Sequence, residues 1–335
     1  MNARALLVGI GGLWLAITLG ACSDGERTRD DESVELGPED PDPANPDPEV
    51  PDPEGDEPSS GEPFPPSDRT PRPSAACGPS SAAPLRGTQM LSTGGQMGRY
   101  YIAVPAGYDP SQPNTLNFVF HGANNDEFAC RSGGNCAGIY NELEPVSIVV
   151  YMKSFGTSWT GPERDQNVTF FDDLLGHVKA NYCVDERRVF AVGTSSGAHF
   201  SNILACRRGG DLLGIVPGAG ERLETTNCSG LVAALVIHGV DDTSVPFAFG
   251  EAARDFYRTQ NGCSDVTVPE LATIHAEVRA ARAANMTTYR CADYQGCMDG
   301  LPVRWCEHSD PGYDSSTHGW PGVGGELTWD FIQDL

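Results

Sequence analysis

The sequence predicts an α/β fold: a mostly parallel central sheet flanked by helices and stapled by disulfides, set behind an export segment and an acidic tether. Three observations predict it. From Arg99 onward, apolar runs rich in β-formers alternate with stretches of helical periodicity. The cysteines of that region are even in number. The pattern Gly193-Thr-Ser195-Ser-Gly197 falls between one such apolar run and one such helix.

Residues 1–22 read as a targeting segment. Arg4 precedes the uncharged run ALLVGIGGLWLAITLGAC, long enough for a signal core and marginal for a membrane span. Small residues before Cys22 (Leu19-Gly20-Ala21-Cys22) match a bacterial lipoprotein cleavage site, against the alternatives of an uncleaved anchor or an ordinary signal peptide. The expectation is lipidation at Cys22, with the rest of the chain held outside the cytoplasm on a membrane. Residues 23–73 hold half of the 26 prolines and carry 17 Asp/Glu against 4 Arg, a large part of the net charge of −24. Such a stretch has too little apolar surface to offset its ordering entropy, and proline and like charge keep it extended. It is expected to be a disordered linker.

Residues 74–335 are a comfortable size for one α/β domain. The domain is mildly acidic, which argues against a nucleic-acid partner, and no second long apolar stretch follows, so it is expected to be soluble. Leaving Cys22 aside, ten of the 11 cysteines remain, enough for five disulfides in an exported domain. Cys183 and Cys206 flank the Ser195 turn and are candidates to staple it. No C-x-x-C or H-E-x-x-H spacing suggests zinc, and the Asp-Pro repeats lack a calcium loop, so no metal and no cofactor are expected.

Strands are expected over 99–105, 115–120, 146–152, 188–192, 231–239, 286–291 and 302–306, and helices over 167–182, 198–206, 249–260 and 325–335. In such sheets ligands sit beyond the carboxyl ends of the strands. The bare G-x-S-x-G pattern proves little, since chance alone yields it about 0.3 times at this composition. Its place on a strand–turn–helix junction is what makes Ser195 a candidate nucleophile. Gly193 and Gly197 remove Cβ atoms where the turn must pack, and the first helical amides are unpaired and free for an oxyanion.

A nucleophilic serine needs a base, and the base an orienting acid, in the chain order Ser, Asp/Glu, His on a sheet of this kind. Asp241 and Asp242 end the apolar strand LVIHG, with Asp242 preferred. The base comes from His275, His308 or His318. His275 lies in the charged, helix-like ATIHAEVRAAR and His308 ends a strand, whereas His318 sits in a Gly- and Pro-flanked loop before the last helix and is preferred. Upstream, a strand ends in His121-Gly122, where the amide of Gly122 or Ala123 would complement that of Ser196 as an oxyanion hole. His121 itself precedes the serine and reads as structural.

On these motifs (His121-Gly122, GTSSGA, HGVDDTSVPF, and YQGCMDGLPVRWCEH followed by HGWP and WDF) the chain resembles the exported esterases grouped as feruloyl esterases, acetyl-xylan esterases and polyhydroxybutyrate depolymerases. The resemblance runs from about Tyr100 to Phe331. It implies an α/β-hydrolase fold and a Ser-Asp-His triad of Ser195, Asp242 and His318, and the CADYQGC and WCEH stretches point towards the feruloyl esterases. One departure stands out: SDPGYDSST lengthens the loop before His318, and Gly319 separates His318 from Trp320, which keeps His308 in play. Trp159 and Trp320 are candidate walls for an aromatic acyl group or a sugar, or else core packing. The expected activity is hydrolysis of plant cell-wall polysaccharide esters. Acetylated xylan or a polyhydroxyalkanoate is the alternative substrate, and a non-catalytic surface-binding lipoprotein the alternative of another class.

Overall fold

The computed structural model describes residues 70–78, 84–132, 134–312 and 316–335. The expectations for residues 1–22, for Cys22 and for nearly all of the acidic linker lie outside these residues. Four linker residues do not: Arg72 N–H donates to Asp185 Oδ1 at 2.9 Å, its carbonyl accepts from Glu186 N–H at 2.8 Å, and Pro73 bridges to Asp185. These residues, on the linker side of the compositional boundary, thus already bond to the folded domain.

Ten strands form one sheet in the order β1-β2-β4-β3-β5-β6-β7-β10-β9-β8. They are β1 (Gly87–Thr93), β2 (Gln96–Ala103), β3 (Asn114–Phe120), β4 (Ile148–Met152), β5 (Val184–Thr194), β6 (Gly214–Gly218), β7 (Ala233–Gly239), β8 (Thr267–Val268), β9 (Tyr289–Tyr294) and β10 (Val303–His308). The six from β4 to β10 pair in parallel, and antiparallel strands close both edges. The central strands are buried on both faces, which is why β4 (IVVYM) and β7 (AALVIHG) read as unbroken apolar runs rather than alternating ones.

The helices are α1 (Glu127–Arg131), α2 (Ile139–Leu143), α3 (Arg164–Asn181), α4 (Ser196–Arg207), α5 (Phe247–Gln260), α6 (Leu271–Ala283) and α7 (Gly324–Asp334). Two apolar cores result. One holds Phe118, Phe171, Phe200 and Trp305, the other Tyr151, Phe190, Ile237 and Phe331. Among the described residues no helix is long and apolar enough to cross a membrane.

All ten domain cysteines pair: Cys77–Cys183, Cys130–Cys136, Cys206–Cys228, Cys263–Cys297 and Cys291–Cys306. Cys183 and Cys206 therefore do not staple the Ser195 turn to each other. β5 and α4 run out and back over 11 and 12 residues, and each cysteine meets a different neighbour at the far end. Cys183 anchors the segment entering the domain, and Cys206 the loop between β6 and β7.

Candidate active site

Ser195 stands between the end of β5 and the start of α4 with φ 53° and ψ −119°, a left-handed backbone that costs a non-glycine residue strain. The neighbours enforce it. A Cβ on Gly197 would lie 2.1 Å from the Phe120 carbonyl oxygen, and one on Gly193 would lie 2.3 Å from the Gly197 carbonyl oxygen. Ser195 N–H donates to Gly218 O at 2.9 Å on β6, while its own carbonyl accepts from Ala198 and His199. The turn is pinned between β3 and β6, and the Ser195 side chain is left half-buried and accessible.

His318 reaches Ser195 from the loop after β10. Its Nε2 lies 3.0 Å from Ser195 Oγ, and its Nδ1 lies 2.8 Å and 3.0 Å from the two carboxylate oxygens of Asp242. Asp242 follows β7 in a turn whose Ser244 and Val245 amides donate to Oδ1 at 2.9 and 2.8 Å. Burial opposes the charge on Asp242, but hydrogen bonds from His238, His318 and the Val245 amide outweigh it and hold the carboxyl well below the usual carboxylate range. A carboxylate fixed on Nδ1 selects the tautomer that leaves Nε2 free to accept the serine proton.

The lengthened loop delivers His318 by folding on itself. Gly312 N–H donates to Ser316 O at 2.9 Å, His318 N–H to Ser316 Oγ at 3.1 Å, and Asp241 N–H to Thr317 Oγ1 at 2.8 Å. Gly239 is needed where this loop crosses β7, because a Cβ there would lie 2.1 Å from Thr317 O.

The alternatives are placed elsewhere. Asp241 turns outward to Arg282 (2.9 Å) and Arg279 (3.2 Å). His275 donates through Nδ1 to Glu307 at 2.8 Å and accepts from Arg279 at 2.9 Å. His308 is buried, and neither ring nitrogen makes a hydrogen bond among the described residues.

On the opposite side of Ser195, a Cβ on Gly122 would lie 3.7 Å from Ser195 Cβ, so the turn after β3 abuts Ser195. Among the described residues the amides of Ala123 and Ser196 have no protein acceptor. His121 donates through Nδ1 to Gly122 O at 2.7 Å and accepts from Ser154 N–H at 3.3 Å through Nε2. Burial drives its pKa down to about 4, so the ring is a neutral prop for this turn.

The two candidate wall residues are buried. Trp159 is fully buried, donates its indole N–H to His121 O at 2.8 Å and stacks on Phe200 with ring centroids 4.8 Å apart. Trp320 is 9% exposed, lies over Gly218 and donates to Ala137 O at 3.1 Å. Both indoles direct their polar N–H to a backbone carbonyl.

Sequence reasoning did not single out His199, one helical turn beyond Ser195 and near enough to His318 to feel its charge, or Ser158, whose hydroxyl lies 2.8 Å from that of Ser196. The i+4 spacing from Ser195 was a usable signal for the first, and there was none for the second. Among the described residues no group of three or more His, Cys, Asp or Glu side chains is arranged to hold a metal ion.

No family model matches the chain. Feruloyl esterase D of Neurospora crassa is 28% identical over 250 residues, spanning 70% of this chain and 81% of that protein. Feruloyl esterase C of Emericella nidulans is 27% identical over 243 residues, spanning 70% and 83%. Among solved structures, acetyl xylan esterase from Aspergillus awamori superposes with a TM-score of 0.55 at 16% identity, covering 74% of this chain and all of that one, a likeness of fold.

Proposed function

We propose that this chain, a carboxylic ester hydrolase of the α/β-hydrolase fold and a homologue of the feruloyl esterases, cleaves hydroxycinnamoyl esters of plant cell-wall polysaccharides with Ser195, His318 and Asp242 as its triad. The observation that carries the triad is the unbroken line Ser195 Oγ, His318 Nε2, His318 Nδ1 and Asp242, with contacts of 3.0 and 2.8 Å, on a strained strand-to-helix turn. The hydroxycinnamoyl substrate rests on the relatives' names and their span of 70% of this chain.

His318 Nε2 takes the Ser195 proton as Oγ adds to the ester carbonyl carbon. The amides of Ser196 and of Ala123 or Gly122 receive the oxyanion. The intermediate collapses, His318 returns the proton to the departing alcohol, and Ser195 keeps the acyl group. Water then gives a proton to His318 and its oxygen to the acyl carbon, and the acid leaves as Ser195 recovers its hydrogen. Asp242 fixes the tautomer and stabilises the imidazolium throughout.

The ester substrate is reached outside the cytoplasm, from a lipid anchor at Cys22. Five disulfides in one domain support an oxidising compartment.

The test is release of ferulate from methyl ferulate, with Ser195→Ala as control. Release that vanishes in the variant supports the reading. Absence of release from folded protein that cuts p-nitrophenyl acetate moves the substrate to acetylated xylan or a polyester. Absence of any ester cleavage leaves a binding lipoprotein.

A further inference from the structure

The two halves of the oxyanion site come from separate segments, the turn after β3 and the start of α4. A third segment, residues 154–160 following β4, bonds to both. Towards the first half, Asn124 N–H donates to Thr157 O at 2.7 Å, Ser154 N–H to His121 Nε2 at 3.3 Å, and the Trp159 indole to His121 O at 2.8 Å. Towards the second half, Trp159 N–H donates to Ser196 Oγ at 3.0 Å, and Ser158 Oγ lies 2.8 Å from Ser196 Oγ.

The direction of this hydroxyl chain follows from what each group can give. Ser196 is buried, and its Oγ already accepts from Trp159, so its proton must go to Ser158, the remaining partner among the described residues. Ser158 Oγ also accepts from Thr160 N–H at 3.2 Å and lies 3.1 Å from Thr160 Oγ1, at the half-buried end of the chain. The opposite direction would leave the Ser196 proton buried and unmatched, the arrangement a folded interior avoids.

We infer that the Ser196 and Ser158 hydroxyls are positioning groups: through residues 154–160 they set the Ser196 amide against the Ala123 turn at the spacing an oxyanion requires. The inference rests on the esterase reading. Oxyanion donors act by being held in place before charge develops, so a shift of a few tenths of an ångström weakens transition-state binding and leaves ground-state binding almost untouched. The second x of G-x-S-x-G, Ser196, which the nucleophile turn itself leaves unrestricted, then has a chemical reason to be serine here.

The test compares wild type, Ser158→Ala, Ser196→Ala and the double variant, as the full chain, with methyl ferulate and with phenylboronic acid. The boronic acid adds Ser195 Oγ to boron and puts a boronate oxygen in the oxyanion position. Expected for Ser196→Ala is a fall in kcat of about tenfold or more, a fraction of what deleting an oxyanion donor costs, with KM within about twofold and a matching loss of boronate affinity. Ser158→Ala, at a half-exposed site that tolerates truncation, falls the same way by a smaller factor, and Ser158→Thr restores it. The double variant loses no more than Ser196→Ala, because one chain is broken either way. The inference is overturned if both single variants keep kcat within twofold of an active wild type, or lose kcat with boronate affinity unchanged. A wild type that binds the boronate but leaves methyl ferulate intact sinks the substrate reading and leaves the boronate comparison to decide this one. A wild type that does not bind the boronate overturns it.

Discussion

Acidification should weaken this fold well before it protonates the triad carboxylate. His121, His199 and His308 are each pushed by burial from the ordinary imidazole range down to about 4. For His308 burial and then His238 oppose charge, and together they outweigh the Gly319 backbone and Asp242, which favour it. A folded pKa below the unfolded one means the unfolded chain binds more protons between about 6.5 and 4. Stability is then fully present above that window and is lost as the pH falls through it. At pH 5 each histidine forfeits about 2 kcal/mol, worked from a shift of about 2.5 units at 1.36 kcal/mol per unit with the folded state still mostly neutral. The three together forfeit about 6 kcal/mol, a large share of the 5–15 kcal/mol typical of a domain; His199, the most exposed, contributes least. Asp242 has the opposite sign: its depressed pKa adds stability above the ordinary carboxylate range, lost only below about pH 4. Urea unfolding followed by tryptophan fluorescence at pH 7.5, 6 and 5, disulfides intact, reads the slope. His308→Leu removes an imidazole with two unpaired nitrogens and should cut that slope by about a third while sparing activity. Stability that is flat from pH 7.5 to 5, or a variant with the wild-type slope, refutes the reasoning.

Other expectations are sharper at the site. Ser195→Ala and His318→Ala should each cost several orders of magnitude in kcat and the double variant little more, since the residues act as a unit; additive losses would break the triad assignment. Asp242→Asn should cost about 10⁴-fold in kcat through the wrong tautomer, whereas Asp241→Ala, which loses only half-exposed pairs to Arg279 and Arg282, should stay within about twofold. Gly197→Ala should force the turn off β3 and lower both kcat and Tm, with a stability loss of about 2 kcal/mol or more, because its Cβ meets backbone that cannot yield. Trp320→Phe keeps a single six-membered ring but drops the pyrrole and its bond to Ala137 O, and should lower stability by about 1 kcal/mol or more, read by urea unfolding.

The sequence was most legible where pattern and chemistry coincide. The unbroken apolar runs of β4 and β7 announced buried strands, and Gly193 and Gly197 announced a tight turn, because in each case one physical demand fixes the residue type. It was least legible where contacts are long-range. β6 (GIVPG) escaped notice, being five residues with a proline in a central strand, a position where a missing amide donor argues against a strand. α1 and α2 are one turn or so each and owe their existence to a disulfide and to packing on the sheet, not to periodicity. Trp159 and Trp320 were ambiguous for a related reason: an indole serves a wall or a core equally well, and the carbonyls they bond to, at His121 and Ala137, are far off in sequence.

Those carbonyls also explain how a site drawn from distant segments holds its geometry. Ala137 O accepts from both the Trp320 indole and Gly325 N–H, at 3.1 and 2.9 Å. Gly138 and Gly325 touch backbone to backbone, since a Cβ on Gly325 would lie 2.2 Å from Gly138 C. The segment after the Gly122 turn, closed by Cys130–Cys136, thereby meets the segment after the His318 loop directly. Residues 154–160 tie the same Gly122 turn to the start of α4. The donor side is thus tied to the start of α4 and to the segment after the His318 loop by hydrogen bonds in which buried side chains, the Trp159 and Trp320 indoles and the Ser196 hydroxyl, meet backbone groups. A site held in this way has its donors in place before the oxyanion forms, which is the condition under which they lower the barrier instead of merely binding substrate.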